Sequence, residues 1–155
     1  MIKHAFYNFE FGTLKIGYTE AAVISIRTVG KIDDKDEHSQ LSDIVYEQIC
    51  EYMKGRRKIF DFPYELHGTE FQIRVWNELC RIPYGETRTY KQVAEAAGNP
   101  KASRAAGAAN GKNPLWIVIP CHRVIGTDGK LTGYAGGLEF KKTILNLEKG
   151  ANEIY

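Results

Sequence analysis

Between Thr89 and Ala109 the chain leaves room for two short helices and little else. Thr89-Tyr90-Lys91-Gln92 has the spacing of a capping box, in which the Thr89 hydroxyl accepts from the Gln92 backbone and the Gln92 side chain reaches back. Gly98 supplies the stop, and Asn99-Pro100 read as cap and first residue of a second helix that runs through Lys101, Ala102, Ser103, Arg104, Ala105, Ala106, Gly107, Ala108 and Ala109. Two short helices joined by about three residues make a helix-turn-helix. The second offers almost only alanine and glycine, with Arg104 as its main long polar probe, so it can read little base sequence. Two readings stand: a buried alanine-rich helix packed on a neighbour, or a thin rod that approaches a duplex closely. A dressed helix is about 10 to 12 Å across and the B-form minor groove about 6 Å wide, so small side chains lessen the widening that entry requires.

The other segments fit around this pair. In the first thirty residues Leu14, Ile16 and Tyr18, then Ile24 and Ile26, alternate with polar positions, predicting a small antiparallel sheet. Leu41, Ile44, Val45, Ile49, Tyr52 and Met53 mark one face of a helix that covers it. Phe60 to Gly68 is an extended connection, and a domain boundary falls near residue 67. Thr69 then caps a helix carrying Phe71, Val75, Trp76 and Leu79, stopped by Pro83 and Gly85. The apolar run Leu115 to Ile119 reads as a buried strand ending at Pro120 and Cys121, and Asp128-Gly129 as a hairpin turn between Val124-Ile125 and Lys130-Leu131, like the wing of a winged helix. A last helix, Leu138 to Lys149, points Phe140, Ile144, Leu145 and Leu147 inward and ends at Gly150. With 155 residues and ordinary globular composition, the expected class is α+β in two small domains, 1–67 and 68–155. The start lacks a long apolar stretch and no run is long enough to cross a bilayer, so we expect a soluble, intracellular chain.

Charge is unevenly shared. Residues 1–68 hold nine Lys/Arg against eleven Asp/Glu, whereas residues 80–130 hold eight against three, an excess that suits a polyanion but equally an ordinary solvated face. Cys50, Cys80 and Cys121 are odd in number and form no CxxC pair, arguing against a disulfide scaffold or a cysteine-rich zinc site. A histidine beside a cysteine, oriented by a carboxylate, is the general way to make a thiolate near neutral pH, and Cys121, His122 and Glu148 are the candidates. Without further context a Cys-His pair after an apolar run is as well explained by packing.

That context is Ile119-Pro120-Cys121-His122-Arg123-Val124-Ile125, which resembles the active-site signature of the O6-alkylguanine-DNA alkyltransferases. The resemblance extends over most of residues 69–150, through Tyr90, Ser103-Arg104-Ala105, Asn113-Pro114, Tyr134-Ala135-Gly136-Gly137 and Glu148; residues 1–67 match only in layout. It implies a ribonuclease H-like amino-terminal domain, then a winged helix-turn-helix that docks in the minor groove of double-stranded DNA through Tyr90, Lys91, Arg104, Ala105 and Gly107. It further implies that Cys121 accepts the alkyl group of O6-alkylguanine, and that of O4-alkylthymine in some relatives. His122 would serve as base through a bridging water, and Glu148 would hold the histidine. Arg104 looks like the finger that fills the stack, while Tyr90 crowds the 3′ phosphate and protonates guanine N3. Asn113 looks like a hinge between recognition helix and active-site strand, and Val124, Tyr134 and Ala135 like pocket walls. Ala135 stands where the family often has serine, and Trp116 where smaller residues or proline occur. A thioether product cannot be reversed by thiol exchange, so each molecule acts once. We expect a deprotonated sulfur at the mouth of a purine-sized cavity, no cofactor, no metal, no membrane partner, and a cytoplasmic monomer (nuclear in a eukaryote).

Two rivals differ in outcome. A cysteine hydrolase using Cys121, His122 and Glu148 turns over. A non-enzymatic binder of alkylated DNA lacks the acceptor cysteine, which this chain retains.

Overall fold

The computed structural model describes residues 1–131, 134, 136–150 and 155. They form an α+β chain of two compact units, Met1–His67 with Pro114–Trp116, and Gly68–Asn113 with Ile117–Tyr155.

In the first unit three strands, β1 (Lys3–Phe9), β2 (Gly12–Tyr18) and β3 (Val23–Val29), pair antiparallel in sequence order. The register puts Ala5 opposite Ile16 and Ile16 opposite Ile26, a cross-strand row with no exposed surface. Gly12, at φ +122°, lets the β1–β2 turn pass where a Cβ would lie 2.9 Å from the Val29 carbonyl oxygen. Helix α1 (Gln40–Met53) starts at a Ser39/Ser42 capping box and buries Val45, Ile49 and Tyr52. Ile44, expected on the inner face, is exposed. Tyr46 donates to the Asn8 carbonyl (2.7 Å) and Tyr7 to Asp43 (2.6 Å), which fastens the helix to β1. The outer edge of β3 is covered by distant segments. Val23 bonds Pro63 and Glu65, while the Ile26 N–H donates to Pro114 (2.8 Å) and the Ile26 carbonyl accepts from Trp116 (3.1 Å).

The second unit is mostly helical. Helix α2 (Glu70–Leu79) begins at the expected Thr69 cap, reciprocated by Gln72. Its Trp76 is buried and donates Nε1–H to the Ala109 carbonyl (2.8 Å), tying α2 to α4. Strand β4 (Arg88–Thr89) leads into α3 (Tyr90–Ala96), again with the expected Thr89/Gln92 box. Helix α4 (Ser103–Gly111) begins later than the sequence suggests. The reason is the end of α3: Gly98, at φ +90°, donates to Glu95, and Asn99 donates to Ala94, the paired bonds of a Schellman stop. Asn99 is spent closing α3. A turn from Asn99 to Ala102 intervenes, and α4 opens on Ala102 without a side-chain cap. Val93, Ala94, Ala97, Ala106 and Ala109 are buried, so small residues do line the inner faces of this pair.

Two further expectations are corrected. Leu115 to Ile119 is no strand: Leu115, Ile117 and Ile119 are buried in alternation, but after the single bridge of Leu115 to Ile26 the backbone turns, with Ile117 at φ +74°. A β-branched residue in that region costs on the order of 1 to 3 kcal/mol, so packing overrides local preference here. The Asp128-Gly129 turn closes through Gly129 N–H to Gly126 (2.9 Å) and Gly126 N–H to Lys130 (3.0 Å), yet Lys130 and Leu131 form no strand. Instead β5 (Val124–Ile125) pairs in parallel with Arg88–Thr89. Helix α5 (Leu138–Lys149) has the expected bounds and left-handed Gly150 cap, with Phe140, Ile144 and Leu145 buried and Leu147 half-buried. No helix of the described residues is long and apolar enough to cross a membrane.

Candidate active site in the second unit

Cys121 opens a 3-10 helix, Cys121–Arg123, which turns all three side chains inward; His122 has no exposed surface. Opposite lies α5, where Lys141, Ile144, Leu145 and Glu148 recur at spacings of three, one and three and so occupy one buried face. Glu148 is therefore delivered from the helix end to the 3-10 turn.

His122 Nε2 lies 2.7 Å from Glu148 Oε2, as the resemblance implies. Arg123 takes the same carboxylate in a two-pronged grip, Nε to Oε1 at 2.7 Å and Nη2 to Oε2 at 2.8 Å. Its remaining Nη1 donates to the Ile82 carbonyl (2.7 Å), and its guanidinium lies 5.6 Å from the Tyr84 ring centre. Burial alone would raise the Glu148 carboxyl, but the bonds from His122 and Arg123 outweigh it and hold the group well below the usual carboxylate range. Burial pushes His122 down, against the pull of Glu148. A neutral imidazole facing an ionised acceptor must carry its hydrogen on Nε2, which leaves Nδ1 as the basic nitrogen. Arg123 thus balances Glu148, and the imidazole adds no charge of its own.

Cys121 is 3% exposed. Burial pushes its thiol up, opposed by hydrogen bonds from Asn113 and Tyr134 and by the charge of Lys141. Burial outweighs these influences, so the resting group is a thiol rather than the deprotonated sulfur that the Cys-His pair suggests. Lys141 itself is fully buried and donates to the Val124 carbonyl (2.6 Å); burial lowers it to about 8. Asn113 also donates to the Ile119 carbonyl (2.7 Å), and Asn110 to the Cys121 carbonyl (3.3 Å), so two side chains around the end of α4 hold the peptide before Pro120 and the peptide after Cys121.

Cys121, His122, Glu148, Asn113, Val124 and Tyr134 are thus gathered in one place, while Ala135 lies outside the described residues. Tyr90 is half-buried, and a Cβ added at Gly107 would lie 3.6 Å from its ring. Lys91, Arg104 and Ala105 are exposed on the helix pair. The sequence reading passed over three participants: Arg123, quoted in the heptapeptide without a role, Lys141, and Asn110. A lysine seven residues before Glu148, on the stripe that carries Ile144, was the available signal for Lys141.

Residues 70–150 match the family model described as 6-O-methylguanine DNA methyltransferase, DNA binding domain. The chain is 56% identical over 102 residues to a methylated-DNA--protein-cysteine methyltransferase of Methanosarcina barkeri, covering 66% of this chain and 65% of the relative. It is 53% identical over 105 residues to the inducible enzyme of that name from Bacillus subtilis, covering 68% and 59%. The aligned stretch therefore spans somewhat less than two thirds of these relatives. Among solved structures, the O6-methylguanine methyltransferase of Mycobacterium tuberculosis superposes with TM-score 0.88 at 37% identity over 100% of this chain and 97% of that one. The same organism's protein in complex with DNA gives 0.87 at 39%, over 95% and 92%. On the matched domain and the full-length structural likeness, this chain belongs to the 6-O-methylguanine DNA methyltransferase family.

Proposed function

We propose that this protein repairs DNA by moving the alkyl group of O6-alkylguanine in a duplex onto Cys121, once per molecule. One observation carries the reading: the residue after Cys121 is an imidazole whose Nε2 is fixed on the Glu148 carboxylate at 2.7 Å, which leaves Nδ1 as its basic nitrogen.

The chemistry balances without a second substrate. As the sulfur attacks the alkyl carbon, the S–C bond forms and the C–O6 bond breaks, leaving electron density on guanine. The thiol proton passes to His122, through a bridging water as in the family, and guanine receives a proton at N3 from the Tyr90 hydroxyl, whose phenolate regains one from solvent water as the imidazolium gives its own back to solvent. The transient imidazolium is stabilised by Glu148, while Arg123 keeps that carboxylate ionised. Asn113 and Tyr134, whose polar groups favour the charged form of the sulfur, stabilise the anion as it forms.

Docking falls to the helix-turn-helix, in which α3 and α4 present Tyr90, Lys91, Arg104, Ala105 and Gly107 to the minor groove. Arg104 enters the stack when the nucleotide leaves it. The sheet and α1 of the first unit fit a ribonuclease H-like layout. Relatives named for methylated DNA and a protein cysteine support the assignment. The test is to mix the protein with duplex containing O6-methylguanine and map the product by peptide mass. One methyl per molecule on the Cys121 peptide is expected. Demethylation without an adduct, or an adduct elsewhere, overturns the reading.

A further inference from the structure

Asn110 is 3% exposed, in the last turn of α4, and nothing in the family resemblance gives it a role. Its Nδ2 donates to the Cys121 carbonyl, and among the described residues its Oδ1 meets no donor. A buried acceptor left unpaired costs on the order of 1 to 3 kcal/mol, so a side chain kept here for packing alone would be better as leucine. What asparagine adds is the amide donor. Among the described residues the Cys121 carbonyl has one other donor, the Val124 N–H that closes the 3-10 helix, and the backbone just before it is turning rather than paired in a sheet. The acceptor peptide is therefore oriented by few contacts, and one of them comes from the helix that carries Arg104 and Gly107.

We propose that Asn110 is a positioning residue, whose amide sets the plane of the Cys121 peptide and thereby the direction in which the sulfur points. The inference rests on Cys121 being the acceptor. It differs from the role implied for Asn113, which bonds the preceding Ile119 carbonyl. Loss of the amide lets the peptide tilt while leaving His122, Arg123 and Glu148 in place.

The test compares Asn110→Leu and Asn110→Gln in the full chain. With the Cys121 carbonyl labelled by carbon-13, its infrared band moves to higher frequency in the leucine variant and returns toward the wild-type position in the glutamine variant. The plateau rate of methyl transfer from duplex falls about tenfold in the leucine variant, the effect of losing about one hydrogen bond's worth of alignment, with half-saturating DNA concentration unchanged and part of the rate recovered by glutamine. The urea midpoint of the leucine variant is equal to or above wild type. A band that does not move, a plateau rate at the wild-type level, or a glutamine variant no faster than leucine overturns the proposal. If wild-type protein transfers no methyl to Cys121, the functional reading fails by itself. The positioning role is then judged by iodoacetamide labelling of Cys121, slower in the leucine variant if it holds and unchanged if it does not.

Discussion

Four N–H groups converge on the carboxylate of Glu148, from His122, from Arg123 twice and from Gly85. Glu148→Gln keeps the shape but strands the Arg123 charge inside the unit, and breaking a buried pair from one side costs about 3 to 5 kcal/mol. A fall of that size in unfolding free energy, measured by urea titration, is expected alongside loss of methyl transfer. The pH dependence has a definite sign. In the unfolded chain His122 takes up a proton near 6.5 and Glu148 near 4.5, whereas the fold resists both protonations. The unfolded chain therefore binds more protons as acid is added, and stability falls as pH drops through 6.5 and further below 4.5. Lys141 acts at the other end: between about 8 and 10.5 the unfolded chain keeps a proton that the fold has released, so raising pH across that window stabilises. Urea midpoints across pH check this; Lys141→Met should lose the alkaline rise and Glu148→Gln the part of the acid fall below 4.5, with the fall through 6.5 retained. At this scale the motif made Cys121, His122 and Glu148 legible. Arg123 and Lys141 were not, because a charge earns a buried place only through partners brought from other elements, here Ile82, Tyr84, Glu148 and Val124.

Elements whose ends are set by neighbouring residues could be read directly. The Thr69 and Thr89 caps and the left-handed Gly150 each depend on a few adjacent positions. Reading failed where one residue served two candidates: Asn99 cannot close α3 and open α4 at once. It failed again where tertiary packing chose, as at Ile117 and in the pairing of β5 with β4 rather than with Lys130-Leu131. Gly107 gives a test of the helix pair. A Cβ there meets Tyr90 at ordinary contact distance, so Gly107→Ala should add about 0.5 to 1 kcal/mol through helix propensity, read as a higher thermal midpoint, while Gly107→Leu pushes Tyr90 aside and weakens duplex binding. Arg104→Ala should slow reaction with O6-methylguanine in duplex far more than with free O6-benzylguanine, since only the duplex has a gap to refill. Equal slowing on both substrates would remove the stack-filling role.

For the whole molecule, the basic excess of residues 80–130 is visible by counting, but its use depends on which cations reach the surface: Arg123 spends its charge inside, whereas Lys91 and Arg104 are exposed. The boundary near residue 67 says nothing of a later visit to the first unit. Pro114–Trp116 returns to the edge of β3, where Ile26 gives one backbone bond and receives another. A fragment of residues 1–67 should therefore aggregate, or melt earlier than the same fragment mixed with a peptide containing Pro114–Trp116, a difference that circular dichroism and light scattering can follow. Joining this amino-terminal half to a relative's carboxy-terminal half would transplant a foreign tripeptide into the sheet, so recombinants with a crossover between residues 67 and 114 inherit an edge strand matched to another parent, and the two stretches are best exchanged together.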